Sequence, residues 1–413
     1  MQESDPLARR ITTVLFLTQC LASAAFIATS TVGAIAGTAI SGNESWAGVP
    51  AAVSMLAGSG ASFLWGLLMD RIGRRPSLAI GLFLGACGAA LSVAAIARGS
   101  FLLFLGGMCL VGIANAAVNL SRFVAAEVHT PETRGRAVSY VVLGGTVGAI
   151  GGPLLVMPSG RAAVAAGTSE LAGAFAAAVA LLLAAGVVIA VALRPEPLSL
   201  VRRTSGADAA PGGTSEVRRS IREIFRLPAA AAAVAAMMLA QVVMVGLMVI
   251  TSLYMEDMHH GLGDVSLVFS AHTIGMYAFS LVSGRLIDRW GRRPVIAVGA
   301  VVLIVACLTA PLTGATFPLA VSLLLLGLGW NFCFVAGSTL LADQLTPAER
   351  GRTQGFNDLL IGLAAAAGSF GSGLISAQFG YRGVGTVGIV LAFLPLLFLV
   401  RWMRAERKAR PAV

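Results

Sequence analysis

Long apolar stretches separated by short polar loops recur along the whole chain. Each is roughly twenty residues long, which lets a helix cross the hydrocarbon core of a bilayer, about 30 Å thick. Because lipid offers no hydrogen-bond partners, such stretches must be helices, whose backbone bonds are internal. The alternation typical of a membrane β-barrel is missing from the sequence. We predict twelve spans, at residues 11–39, 47–69, 77–97, 101–125, 137–157, 171–193, 229–256, 264–287, 295–314, 317–343, 353–377 and 381–404.

The spans fall into two groups of six that share their loop sequences. GLLMDRIGRRP at 66–76 recurs as GRLIDRWGRRP at 284–294, which is 218 residues later. TPETRGRA at 130–137 recurs as TPAERGRT at 346–353, which is 216 residues later. Two different landmarks with nearly the same offset indicate that the chain is a duplication.

The duplication predicts an all-α polytopic membrane protein built from two six-helix bundles. We expect the first bundle at residues 1–193, a polar linker at 194–228 and the second bundle at 229–413. Two parallel repeats around a site near the middle of the membrane are typical of secondary transporters. The basic stretch EVRRSIREIFR at 216–226 predicts a helix lying on the membrane surface, or else a regulatory partner site.

Composition and charge agree with this class and add an orientation. Of all residues, 57% are hydrophobic and 12% are charged, and the net charge of +10 is concentrated in alternate loops. Arginine-rich loops face the cytoplasm, so we expect an inner-membrane protein with both termini cytoplasmic and the lipid bilayer as a partner. Basic and aromatic residues are not interleaved on a soluble face, which argues against nucleic acid as a partner.

The same sequence contains no motif for catalysis. There is no Walker A phosphate loop and no nucleophile–base constellation. We therefore expect neither an enzyme nor an ATP-driven pump, and no prosthetic group.

The duplicated loop, G-x-L-x-D-R-x-G-R-R, resembles the signature loop of the major facilitator superfamily. Glycines in it permit a tight turn, and the aspartates can accept charge-assisted hydrogen bonds from arginines or helix N-termini. The resemblance implies that family's fold and a conformational latch on the cytoplasmic side. It carries over onto Gly66, Asp70, Arg71, Gly73 and Arg74, and onto Gly284, Asp288, Arg289, Gly291 and Arg292.

Two further features lie within or beside the predicted spans. Arg122, Glu127 and Asp358 are ionisable residues inside or beside spans, so they are candidates for a gate or for proton coupling. GTVGAIGGP at 145–153 follows Gly144 and spaces small residues every four positions before Pro153. That spacing predicts close helix packing, and it also resembles a fifth-helix motif of proton-coupled drug exporters.

Methionine and histidine form an ordered pattern on the seventh and eighth spans. Met244 and Met248 are four residues apart and share a helix face, as do His272 and Met276. Counted from residue 260 in the connecting loop, Met248 and His272 are each 12 residues away, and Met244 and Met276 are each 16 away. Equal counts in an antiparallel hairpin mean equal depth in the membrane.

These four donors favour a soft metal ion. Thioether sulfur suits Cu(I) better than harder ions, and imidazole accepts copper in either oxidation state. Methionine is also a common flexible filler of helix cores, and the chain has 13 of them. A second group lies in the outer loop, where it is a candidate for metal recruitment: Met255, Met258, His259 and His260.

The pattern Met-x-x-x-Met on the seventh span with His-x-x-x-Met on the eighth is similar to that of the CcoA-like copper importers. The resemblance implies copper uptake across the bacterial inner membrane for cytochrome oxidase assembly, with Met244, Met248, His272 and Met276 as ligands. It also implies a cytoplasmic copper chaperone or thiol acceptor as a partner. The sequence departs from that family in having no cysteine on the seventh span.

Three alternatives stay open at this point. The same family contains riboflavin importers, so import of riboflavin or another small organic solute is one. Drug export is the second, because of the fifth-helix motif. A membrane sensor or scaffold is the third, although two repeats have little purpose without alternating access.

Overall fold

A computed structural model describes residues 6–129, 131–197 and 219–409 of the chain. Within these ranges only the backbone is described at residues 63, 70, 131–136, 280, 281, 347, 348, 350–352 and 406–409. The described residues form helices and contain no strand. This confirms the prediction of an all-helical protein.

The described helices belong to two compact units. The first unit comprises residues within 1–42 and 53–214, and the second comprises residues within 43–52 and 215–413. Helices of the first half are α1 (Pro6–Ser41), α2 (Val49–Ile72), α3 (Arg74–Arg98), α4 (Phe101–Asn119), α5 (Ser121–Glu127), α6 (Pro131–Leu154), α7 (Val156–Ala165) and α8 (Glu170–Ala192).

Helices of the second half begin after the linker. They are α9 (Ile221–Arg226), α10 (Pro228–Asp257), α11 (Leu262–Tyr277), α12 (Ser280–Trp290), α13 (Arg292–Thr309), α14 (Thr316–Asp343) and α15 (Pro347–Ala409). Short 3-10 turns occur at Glu44–Trp46 and Ala310–Leu312. The unit boundary differs from the predicted domains at residues 43–52, because the Ser369 hydroxyl donates to the carbonyl of Gly48 at 2.7 Å.

Each predicted span falls on a described helix. Ten helical segments of the described chain are long and apolar enough to cross a membrane. The last of them, Thr353–Ala405, contains two predicted spans, which are divided at Gly380 with φ 63°. The predicted span 47–69 coincides with most of α2.

Three spans that the sequence predicts as continuous are interrupted. The fourth breaks between α4 and α5, the fifth between α6 and α7, and the eighth between α11 and α12. Pro153 lies in the last turn of α6 and cannot continue the hydrogen-bond ladder, which accounts for the second break.

The four-residue spacing of small residues on α6 produces close packing against α1. A Cβ added at Gly144, Gly148 or Gly152 would lie 2.6, 2.0 or 2.6 Å from a carbonyl oxygen of α1. The oxygens concerned belong to Phe16, Cys20 and Ala24, which share the same spacing. The prediction of close helix packing for this motif is therefore confirmed. Packing alone accounts for the glycine spacing, without a role in drug export.

The described part of the linker is anchored by an ion pair. Arg219 donates from its guanidinium to both oxygens of Glu349, at 2.9 and 2.7 Å, and from its backbone N–H at 3.1 Å. Glu349 also accepts from the backbone N–H of Thr346, and its side chain is 1% exposed. These bonds lower the pKa of Glu349 from the ordinary 4.5 to about 2, the Arg219 guanidinium being the main cause.

This shift predicts how acid affects stability. Since the pKa of the folded state is the lower one, the pair stabilises the protein above pH 4.5, and this contribution is lost as pH falls towards 2. We expect the thermal midpoint of Glu349→Gln to lie below that of the unaltered protein at neutral pH, and the gap to close in acid. Thermal unfolding in detergent at a series of pH values measures the gap. Asp288→Asn, at an exposed carboxylate, is the control, and a gap independent of pH would contradict the prediction.

Candidate functional site

His272 is a fully buried imidazole on α11. Its Nδ1 atom lies 3.0 Å from the carbonyl oxygen of Leu323 on α14. Because a carbonyl can only accept, we assign the ring proton to Nδ1, which leaves a lone pair on Nε2. Nε2 has no hydrogen-bond partner in the described part of the chain. The imidazole is thus held in one tautomer with an open acceptor.

The backbones of α11 and α14 approach closely beside this imidazole. A Cβ added at Gly275 would lie 2.2 Å from the Leu324 carbonyl oxygen, and one added at Gly327 would lie 2.3 Å from the His272 carbonyl oxygen. Only glycine fits at either position without a shift of backbone. This close approach brings the His272 ring within hydrogen-bond distance of Leu323.

The eighth span breaks directly after Met276. Helix α11 ends at Tyr277 and α12 begins at Ser280, and the side-chain amide of Asn331 donates to the Met276 carbonyl at 2.6 Å. The Ser283 hydroxyl in turn donates to the Asn331 side-chain oxygen. The C-terminus of a helix carries partial negative charge, and ends of broken membrane helices coordinate cations in transporters.

Met244 and Met248 lie on α10, across the outer loop from His272. Met244 is buried, and Met248 and Met276 are half-buried. Helices α10 and α11 contact each other only slightly, while both pack on α14. The four-donor set therefore stays a prediction, since the described contacts attach each helix to α14 rather than one to the other.

An aromatic cluster on α14 links the same two helices. The indole N–H of Trp330 donates to the Gln241 side-chain oxygen on α10 at 2.7 Å. The indole stacks on Phe334 with ring centroids 4.8 Å apart and meets Tyr277 of α11 edge-on at 6.4 Å. Gln241 thus holds a flat aromatic surface against the end of α11.

The predicted outer recruitment group is only partly available at the surface. Met255 is completely buried, because its position on α10 faces the core, and its part in recruitment stays a prediction. Met258 is 49% exposed and His259 is exposed. His260 lies with Nε2 2.6 Å from the Gly314 carbonyl and Nδ1 3.7 Å from the Asp264 carboxylate. His260 therefore fastens the outer loop to its neighbour rather than offering a free ring.

The duplicated loop of the first unit is clamped by two acids. The Arg74 guanidinium donates twice to Glu127, at 3.0 and 2.9 Å. Glu196 accepts from the backbone N–H groups of Arg74 and Arg75 at the start of α3, at 2.5 and 3.1 Å. Gly73 supplies the turn, with φ 103°. No sequence pattern predicted that Glu196 would bind the start of α3.

The second unit repeats this arrangement with other residues. Arg292 donates to Asp343 at 2.9 Å, after a turn at Gly291 with φ 85°. Arg293 lies over the Trp402 ring, 3.6 Å from its centroid. Asp343 is the counterpart of Glu127 at the repeat offset of 216 (343 − 127), so the duplication could have identified it.

The remaining latch residues contribute less to these contacts. Arg71, Asp288 and Arg289 are exposed. A Cβ at Gly66 or Gly284 would have nothing within 4 Å, so neither glycine is needed for close packing. The Asp70 side chain lies outside the described residues.

The match to a family model establishes the family. The model of the Major Facilitator Superfamily matches residues 15–263 and 234–413, which together cover most of the chain. The chain belongs to the major facilitator superfamily. Its members are transporters and not enzymes, and the protein is accordingly a multi-pass secondary transporter.

Full-length relatives within the superfamily differ in what their names record. The chain is 36% identical to the uncharacterized MFS-type transporter YdeG of Bacillus subtilis strain 168, over 98% of this chain and 94% of YdeG. It is 27% identical to the riboflavin transporter RfnT of Brucella anthropi, over 98% of each chain. A bacterial homologue of the lysosomal transporter Spinster shares the fold, with a TM-score of 0.76 at 14% identity, over 99% of this chain and all of the homologue.

The three gate candidates of this transporter occupy different surroundings. Glu127 is engaged by Arg74 rather than by Arg122. Arg122 is exposed, with its guanidinium 5.0 Å from the centroid of the Phe123 ring. Asp358 is exposed on α15. Of these candidates, Glu127 lies in the clamp of the duplicated loop, where it accepts from Arg74.

Proposed function

We propose that this transporter carries copper, and that Nε2 of His272 is one of its ligands. The observation that supports the proposal is the state of this imidazole, which is buried, anchored through Nδ1–H on a carbonyl and open at Nε2. Histidines that bind metals almost always donate their second ring N–H to a carbonyl, carboxylate or water. A buried imidazole with an unused lone pair is otherwise costly to maintain.

Thioethers of Met244, Met248 and Met276 supply the other donors in this proposal. All are neutral, so a bound monovalent ion would be the only added charge in a low-dielectric region. Such donors select copper over magnesium, calcium or manganese. The carbonyl end of α11 beside Met276 adds a favourable potential for a cation.

In this proposal copper enters the cytoplasm by alternating access. The transporter would reside in the inner membrane with both termini cytoplasmic, as the arginine-rich loops predict. Copper would pass to a chaperone or thiol acceptor and supply cytochrome oxidase assembly, as the resemblance to CcoA-like importers implies. In this proposal copper is the transported substrate and not a prosthetic group.

Riboflavin import is the second candidate. The supporting observation is the full-length similarity to RfnT, together with the flat Trp330–Phe334 stack beside Gln241. A planar ring system stacks favourably on aromatic side chains. The two candidates depend on different residues, His272 for copper and the Trp330–Phe334 stack for riboflavin. Substitutions can therefore separate them.

Uptake measurements separate them. Cells that express the transporter should accumulate radioactive copper well above cells with the empty vector, at nanomolar to micromolar external copper, and should not accumulate labelled riboflavin. Trp330→Ala should reduce riboflavin uptake if riboflavin is the substrate and leave copper uptake largely intact. Riboflavin accumulation without copper accumulation, at equal membrane levels, would replace the first candidate by the second.

A further inference from the structure

A groove of about 520 Å³ opens beside α9, at the arginine-rich end of the second unit. It is lined by Ile221, Arg222, Phe225, Arg226 and Phe356. None of these residues takes part in the copper proposal. The groove therefore requires an explanation of its own.

The short helix beside the groove is fixed by contacts outside it. The Ser220 hydroxyl accepts from the Glu223 backbone N–H at 3.2 Å, and the Glu223 carboxylate accepts from the Ser220 N–H at 2.6 Å. Ile224 is fully buried in the core, and Arg219 holds Glu349. Arg222 and Arg226 have no part in these contacts, whereas Phe225 packs with one side against the core that contains Ile224.

Positive charge dominates the rim of this groove. Arg222 and Arg226 are exposed and lie one helical turn apart. Neither guanidinium forms a hydrogen bond or a close ion pair within the described part of the chain. Glu223 is the one nearby carboxylate on α9, and its pKa is lowered mainly by the hydrogen bond from Ser220. One carboxylate against two guanidinium groups leaves the rim positive.

The floor of the groove is aromatic. The rings of Phe225 and Phe356 lie 5.8 Å apart between centroids, and Phe356 is 38% exposed. An apolar floor below two cations fits a ligand with an acyl chain and an anionic head. Basic residues beside membrane helices attract anionic lipids.

We infer that this groove binds an anionic phospholipid, with the headgroup phosphate between Arg222 and Arg226 and an acyl chain over Phe225 and Phe356. The inference is independent of which substrate the transporter carries. Free phosphate would use the two arginines but would have no use for the aromatic floor. The lipid source is therefore the one that accounts for all the lining residues.

Native mass spectrometry of the full-length protein in detergent tests the inference, with phosphatidylglycerol as the probe. We expect phosphatidylglycerol to bind more tightly than phosphatidylcholine, and Arg222→Gln with Arg226→Gln to weaken it roughly tenfold or more. Replacing both by lysine keeps the charge and should preserve most of the binding. Arg401→Gln with Arg404→Gln removes the same charge from exposed positions of α15 and should change little.

Competition distinguishes the lipid from its headgroup. Glycerophosphoglycerol, which lacks acyl chains, should not displace phosphatidylglycerol at equal concentration. Displacement would show a site for soluble phosphate esters and would overturn the lipid assignment. Equal loss in the two glutamine double variants, or equal binding of phosphatidylcholine, would overturn the role of Arg222 and Arg226.

Discussion

Replacing His272 with alanine is expected to lower copper accumulation roughly tenfold or more, to the level of cells without the transporter. Loss of partners that only orient a metal ligand already costs 10–100-fold in affinity, and loss of the ligand itself should cost at least as much. The same variant, purified, should compete correspondingly less well with a Cu(I) chelator. Uptake is compared at equal membrane levels, so that a loss does not reflect the amount of protein.

His259→Ala is the matched control, because it removes an exposed imidazole from the outer loop two residues beyond the end of α10. It should retain most of the copper uptake. Met244→Ala, Met248→Ala and Met276→Ala should each reduce uptake by less than His272→Ala, since three thioethers share one role. If His272→Ala accumulates copper normally at a normal membrane level, the proposed copper site is wrong.

Replacing Gly327 with alanine is expected to disrupt the contact that positions this imidazole. The added Cβ would lie 2.3 Å from the His272 carbonyl oxygen and 2.8 Å from the Met276 nitrogen, so α11 and α14 must separate. Overpacking of this kind costs about 1–3 kcal/mol, and more when backbone must move. We expect the thermal midpoint in detergent to fall by roughly 5 °C or more and copper binding to fall with it.

Gly371→Ala on α15 is the control, because no atom lies within 4 Å of its added Cβ. Alanine is the better helix former, so this control should unfold at the same temperature or slightly above. Gly327→Ala with an unchanged midpoint and unchanged copper affinity would show that the close contact does not govern the site.

The internal repeat made much of the fold predictable from the sequence. Nearly equal offsets predicted two related halves. The four-residue spacing of Gly144, Gly148 and Gly152 predicted close helix packing, because that spacing is local, but it did not identify α1 as the partner. The ion pair of Arg292 with Asp343 follows from the same duplication once Arg74 is seen with Glu127.

Other parts of the site depend on tertiary contacts that no local pattern encodes. The interruption of the eighth span between α11 and α12 contains no proline, and it becomes visible only through the amide of Asn331 on α14. Glu196 caps α3 from a position 122 residues along the chain from Arg74. The equal depth predicted for Met248 and His272 came from counting residues along the chain. Such a count gives no information about α14, which packs against both helices.

The fixed tautomer of His272 also decides which state of the ring a cation could use. Nδ1–H is engaged by the Leu323 carbonyl, so Nε2 is the atom that remains to accept a proton or a metal ion, and the two exclude each other there. If copper is the cargo, it must therefore reach the ring while Nε2 carries no proton.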